Sequence, residues 1–187
     1  MKIAVMGSGG IGGYYGGRLA DAGADVSFIA RGAHLAAMRQ KGLKVISPLG
    51  DFYLPRVTAT DDPATIGKVD IVMFCVKLYD VEETCELIKP LIGQDTAVIS
   101  FLNGIDSEDR MRVILGDRAV VGGTAQIPSN IEEPGVIEHK ASLAALEFGE
   151  LDGRDSKRLQ DYYKAVSYTH LRAHETDSYL VCRLLLE

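Results

Sequence analysis

Short uninterrupted apolar runs alternate along this chain with stretches whose apolar residues recur every three or four positions. The runs at 3–6, 25–29, 70–76, 96–102 and 119–124 have the length and composition of strands buried on both faces. Helical spacing joins them: Ile11, Tyr15 and Leu19; Leu35 and Met38 within 33–41; Val81, Cys85 and Ile88; Met111, Ile114 and Leu115 within 107–115. Gly23 and Gly42 stand where helices close, and Asp80 with Glu83 three residues on predicts an N-cap related to the capping box. Two strand-like pieces, 43–47 and 52–58, are separated by Pro48 and Gly50, and a short helical stretch is expected at 63–67 after the Asp61-Asp62-Pro63 turn. Strands alternating with helices over short connections predict an α/β fold with a doubly wound, mostly parallel sheet. After Pro128 the pattern changes. Residues 135–139 and 143–148 read as an antiparallel pair added at the sheet edge, and 155–166 as an amphipathic helix carrying Leu159, Tyr162, Tyr163 and Val166 on one side.

The chemistry is concentrated where the first run ends. Gly7, Gly9 and Gly12 follow the strand at 3–6 with G-x-G-x-x-G spacing and lead into a helix, the setting in which that spacing signals a dinucleotide site. The first glycine turns the chain, the second lets backbone approach a pyrophosphate, and the third lets helix and sheet lie close. Ser8, Gly10 and Ile11 complete this loop and the helix start, whose free N–H groups suit a phosphate. Gly13, Gly16 and Gly17 exceed the motif and lower helix propensity, so close packing of this helix is the expected compensation. About 20 residues beyond the glycines, NAD sites place a carboxylate for the ribose 2′-hydroxyl. Here that region reads Phe28, Ile29, Ala30, Arg31, and Arg31 offers a forked cation suited to a 2′-phosphate. The expected cofactor is NADP(H) rather than NAD(H).

Ligands of open α/β sheets lie beyond the carboxyl ends of the strands, and two further polar residues fall there. Lys77 follows the run 70–76 and could meet the cofactor or an anionic substrate. Asn103 follows the run 96–102, and the helical pattern after it argues against an Asn-Gly hairpin. Its amide can donate and accept near a nicotinamide and a substrate carbonyl or hydroxyl.

Composition narrows the classes. With 187 residues, 47% hydrophobic and 25% charged, the chain is long enough for one domain with a core, or one domain plus a tail. A net charge of −6 argues against a nucleic-acid partner, though local sites can still bind anions. No apolar run is long enough to span a bilayer, and the first strand begins at once, so neither a membrane partner nor a leader is expected. Cys75, Cys85 and Cys182 lack metal-type spacing and read as reduced thiols of a cytoplasmic protein.

Four landmarks in order, GSGGIGGYYGGRLADAG, VSFIARGAHLAAMRQKGL, FCVKLYD and SFLNGI, resemble the N-terminal half of the ketopantoate reductase (2-dehydropantoate 2-reductase) family, and EEPGVIEHKASLAALEFGE resembles the segment that closes its nucleotide domain. The resemblance covers about residues 1–165. It implies a Rossmann-type NADP(H)-binding domain over 1–166 and reduction of ketopantoate to pantoate with NADPH, in pantothenate and coenzyme A synthesis. Gly7, Gly9 and Gly12 would hold the pyrophosphate, Arg31 the 2′-phosphate, Lys77 the cofactor, and Asn103 the nicotinamide and substrate. The expected partner is a small 2-oxo acid, and the full-length protein is expected to form a homodimer. The alternatives are another 2-oxoacid or hydroxyacid reductase of the same superfamily, and a non-catalytic NADP(H)-binding module.

The resemblance stops near Val166. The family's general acid is a lysine on a helix entering a helical C-terminal domain, and nothing here matches its surroundings, Lys164 included. No catalytic residue is therefore assigned within this chain. Residues 167–187 resemble translated adapter-like sequence and are expected to be a foreign, weakly ordered and dispensable tail, with the family's helical domain missing. Within it His170 and His174, with Glu175 alongside, could share a face of a helix, but no third ligand is readable and no metal site is expected.

Overall fold

The computed structural model of the chain describes residues 1–104, 106–167 and the backbone of 172–175. In chain order the strands are β1 (Lys2–Met6), β2 (Asp25–Ile29), β3 (Leu43–Ile46), β4 (Phe52–Leu54), β5 (Thr58–Thr60), β6 (Ile71–Phe74), β7 (Ala97–Ser100), β8 (Val120–Gln126), β9 (Ser129–Glu133), β10 (Val136–His139), β11 (Ala145–Gly149) and β12 (Arg172–Glu175). The helices are α1 (Gly10–Asp21), α2 (Gly32–Lys41), α3 (Val81–Ile88), α4 (Ser107–Leu115) and α5 (Lys157–Ser167). The main sheet runs β12-β11-β8-β7-β6-β1-β2-β5 and is parallel from β8 to β5. Its central runs are buried at every position in β6 and β7, which explains why they read as continuous apolar stretches rather than alternating ones. Counted along the chain, the parallel strands lie in the order 3-2-1-4-5-6 of the doubly wound dinucleotide fold, and the chain's crossover point falls between β1 and β6.

The second sheet, β4-β3-β10-β9, corrects several expectations. Residues 135–139 and 143–148 do not pair with each other: β10 lies parallel to β3, and β11 alone extends the main sheet, antiparallel to β8. The stretch 52–58 divides, with β4 turning back on β3 and β5 joining β2. Strand β9 lies in a polar stretch that gave no apolar signal. Within the tail, Arg172–Glu175 pairs parallel with β11 at the sheet edge. His174 and Glu175 therefore lie on a strand rather than a helix, while His170 and Cys182 lie outside the described residues. Cys75 and Cys85 are free thiols.

The second sheet exists to cover α1, which is buried between the two sheets. Its glycines divide by face. A Cβ on Gly16 would lie 2.7 Å from Val5 Cγ2 and 2.9 Å from Phe28 Cε1, and one on Gly12 would overlap the Gly7 carbonyl, so both face the main sheet. A Cβ on Gly13 would lie 2.8 Å from Ile137 Cδ1, one on Gly17 3.1 Å from Phe52 Cζ, and one on Gly10 would overlap the Ser129 carbonyl, so these face the small sheet. Glycine at helical spacing on both sides lets the two sheets close on one helix. Tyr14, Tyr15 and Leu19 fill the remaining space with no solvent exposure, and Tyr15 Oη donates to the Ala145 carbonyl at 3.0 Å. The surplus glycines are thus explained by packing on two fronts.

Gly16→Ala gains about 1 kcal/mol of helix propensity but forces a methyl into filled space, at a cost of about 1–3 kcal/mol. The variant is expected to unfold at lower urea concentration than the parent chain, with an unchanged slope. An equal or higher midpoint would refute the two-sided packing account.

Candidate functional site

The glycine loop is held at the carboxyl edge of the main sheet by β2. Gly7 and Ser8 donate their N–H groups to the Ile29 carbonyl at 3.3 and 3.1 Å, and the buried Ser8 hydroxyl donates to the same oxygen at 3.0 Å. Ser8 therefore faces the protein and fixes the loop; its side chain is not turned outward. Gly7 has φ +93°, and a Cβ there would stand 2.8 Å from the Cys75 carbonyl, so the loops after β1 and β6 touch at this point. Helix α1 makes its first bond from Gly13 N–H to the Gly9 carbonyl at 2.7 Å. The N–H groups of Gly10, Ile11 and Gly12 precede that bond, at the positive end of the helix.

Gly9 differs from its neighbours. Its φ is −77°, which any residue adopts, and a Cβ built on it would meet nothing within 4 Å. Gly7 and Gly12 are demanded by the protein's own backbone. Nothing in the protein requires a glycine at 9, and the open space above it is what a ligand approaching the backbone would need.

Three polar side chains stand along the same edge. Arg31 follows β2 at the N-cap of α2, with its side chain 82% exposed and one ionic neighbour, Asp80 Oδ2, at 3.7 Å from Nη2. Lys77 follows β6 and Asn103 follows β7, both exposed and, among the described residues, without a hydrogen-bond or ion-pair partner. The chain after Asn103 and Gly104 enters α4, so the Asn-Gly pair does not close a hairpin. The edge thus brings together the glycine loop, Arg31, Lys77 and Asn103 at the ends of four neighbouring parallel strands.

A concavity of about 1470 Å³ opens at the opposite edge, between residues near the strand N-termini and the start of α5. Its cationic side chains are already matched: Arg112 with Asp117, Arg118 with Asp95, Arg154 with Asp152, Lys157 with Asp161 and Arg158 with Glu150. Among the described residues this groove offers a phosphate no uncommitted cationic side chain. The carboxyl edge does.

Two residues of this neighbourhood were not legible as such. Asp80 reads as a helix cap and does occupy the N-cap position of α3, yet its side chain makes no capping bond and lies beside Arg31. His34, on α2, is buried and accepts the Gly135 N–H at Nδ1 (3.1 Å), tying α2 to the β9–β10 turn; burial pushes its pKa below the usual imidazole value. Lys164 lies on the exposed side of α5, 3.8 Å from Asp161.

A family model described as ketopantoate reductase PanE/ApbA matches residues 3–153. An uncharacterized oxidoreductase, YkpB, from Bacillus subtilis is 32% identical over 168 residues, covering 89% of this chain and 54% of the relative. Among solved structures, 2-dehydropantoate 2-reductase from Porphyromonas gingivalis superposes with a TM-score of 0.89 at 38% identity, over 95% of this chain and 64% of that one. A D-mandelate dehydrogenase solved with NADH and anilino(oxo)acetate gives a TM-score of 0.83 at 25% identity, over 95% of this chain and 57% of that one. The chain spans about half the length of the curated relatives it matches.

Gly9→Ala separates ligand approach from folding. Losing unfolded-chain entropy and replacing a glycine cap with alanine act in opposite directions, so unfolding free energy should stay within about 1 kcal/mol of the parent. Dinucleotide affinity measured by calorimetry should fall by about tenfold or more, because the added methyl occupies the approach to the backbone. Unchanged affinity would remove Gly9 from the site.

Proposed function

Because the chain belongs to the ketopantoate reductase family, we propose that it seats NADPH along the carboxyl edge of its main sheet, as the cofactor-binding part of an oxidoreductase acting on a 2-oxo acid. The observation that carries this reading is Gly9, a glycine with open space above it, at the same sheet edge as an exposed arginine just past the end of the neighbouring strand β2.

The geometry supports the following roles. The N–H groups of Gly10, Ile11 and Gly12, with the helix dipole behind them, hold the pyrophosphate. Ser8 holds the loop against β2 so that these groups stay aligned. Arg31 forks onto a 2′-phosphate, which suits a planar guanidinium with little else to bind. Lys77 adds an unpaired positive charge beside the cofactor. Asn103 fixes an amide or carbonyl at the nicotinamide end, where it can both donate and accept. When bound, the cofactor supplies the hydride. The chain's own contribution is placement and charge. Among the described residues no lysine stands at the carboxyl edge in a setting suited to proton delivery: Lys77 is exposed at the cofactor, and Lys164 is held by Asp161.

The substrate favoured by the relatives' names is 2-dehydropantoate, converted to pantoate on the route to pantothenate and coenzyme A. A second reading, another hydroxyacid reductase, is favoured by the fold shared with D-mandelate dehydrogenase. Profiling 2-oxo acids with a full-length relative carrying residues 1–166 separates the two.

The 187-residue chain is expected to bind NADPH more tightly than NADH, and Arg31→Glu to reverse that order, read by calorimetry with both nucleotides. Uptake of neither nucleotide, or no preference between them, would overturn the assignment. Steady-state reduction of 2-dehydropantoate by this chain should fall far below that of a full-length relative; equal turnover would show that proton delivery resides within residues 1–187.

A further inference from the structure

Arg31 and Asp80 reach each other from different strands, Arg31 at the end of β2 and Asp80 in the turn between β6 and α3. Their charged atoms lie 3.7 Å apart. Aspartate at an N-cap ordinarily accepts an N–H from the first helical turn. Asp80 occupies that position and makes no such bond. Of the two acids in the first turn of α3, Glu82 is held by Arg110 through two bonds of 2.6 Å, and neither it nor Glu83 pairs with Arg31. Asp80 is thus the one carboxylate directed at Arg31 among the described residues, in a chain whose β2 end carries none of its own.

We infer that Asp80 is a specificity-determining residue for the ribose of the adenosine end, setting how strongly the site prefers a 2′-phosphate to a 2′-hydroxyl. The inference rests on the nucleotide site proposed above. An ionised carboxylate only accepts hydrogen bonds. It takes one from a 2′-hydroxyl and repels a 2′-phosphate, while Arg31 does the reverse. The two residues therefore pull in opposite directions at one point. A 2′-phosphate must draw Arg31 away from Asp80 or share it; a 2′-hydroxyl can be bound with the pair intact. The resulting preference for NADPH is narrower than Arg31 alone would give.

The test titrates the 187-residue chain with NADPH, NADH, adenosine 2′,5′-bisphosphate and 5′-AMP at low ionic strength. Asp80→Asn should tighten NADPH and the bisphosphate by about two- to fivefold, the range of exposed charge pairs. It should weaken NADH, and Asp80→Ala should weaken NADH further, since Asn keeps an acceptor. Added salt should shrink the gain for the bisphosphate, because exposed charges are screened. Melting temperature should not move, as no capping bond is lost, and a control of unchanged melting certifies each variant. If both variants keep the parent's NADPH-to-NADH ratio, Asp80 is a bystander and the inference is overturned while the nucleotide site stands. If the parent chain takes up none of the four ligands, the site reading fails and this inference with it.

Discussion

The position of α1 between two sheets is the constraint on which the rest depends. A helix carrying ordinary side chains on both flanks could not come so close to β1 and to the small sheet at once; Gly12 and Gly16 permit the first approach, and Gly10 and Gly13, facing β9 and β10, with Gly17, facing β3 and β4, permit the second. The cost in intrinsic helix stability is about 1 kcal/mol per glycine, offset by burial of Tyr14, Tyr15 and Leu19. With both flanks pinned, the first turn of the helix has one orientation, and its free N–H groups point past the carboxyl edge. The placing of those N–H groups is therefore a product of packing along the helix's whole length.

Charge is distributed to the same end. Around the strand N-termini the acids and bases lie in matched pairs, and the partly buried Arg158 also donates to the Thr96 carbonyl at 3.1 Å while gripping Glu150 with two bonds. Burial alone would raise the pKa of Glu150, but Arg158 and Ser156 hydrogen bonds hold it below the usual carboxylate value. The cationic side chains of that groove are thus committed. At the carboxyl edge Lys77 has no partner among the described residues and Arg31 only a distant one. Uncommitted cationic side chains, which draw anions, therefore stand at the carboxyl edge.

Much of this was readable in the residues, and the limits have physical causes. The first β-α-β unit was legible because its partners are adjacent in sequence and its glycines carry a fixed spacing. The run 70–76 and the pattern 107–115 were legible because burial on all sides or on one stripe leaves a strong signal. The small sheet was legible only in pieces. Its strands β3, β4 and β10 fall in stretches that read as strands, but β9 is polar and leaves no apolar signal, and the pairing was not readable. Its defining pairing, Lys44 with Val136, joins segments far apart in the chain. Asp80 escaped for a related reason. A carboxylate for a ribose is expected along β2, whereas the fold brings Asp80 beside Arg31 from across the chain's crossover point, at a residue whose local surroundings suggest a helix cap. Pairings that arise only when strands are laid side by side cannot be read from spacing.

The helix at the centre has two walls built at different times. Its main-sheet wall, β1 and β2, flanks it in sequence and can form as soon as the first thirty or so residues are available. Its other wall needs β3 and β4 to meet β9 and β10, with most of the parallel sheet lying between them in the chain. Closing that long loop is slow compared with local contacts. Until it closes, one flank of a glycine-rich helix faces water with few side chains to hold it, and the contact of Gly10 with the Ser129 carbonyl at its first turn is among those that must wait. Segments remote in sequence from the glycine loop thereby bear on when the proposed site takes shape.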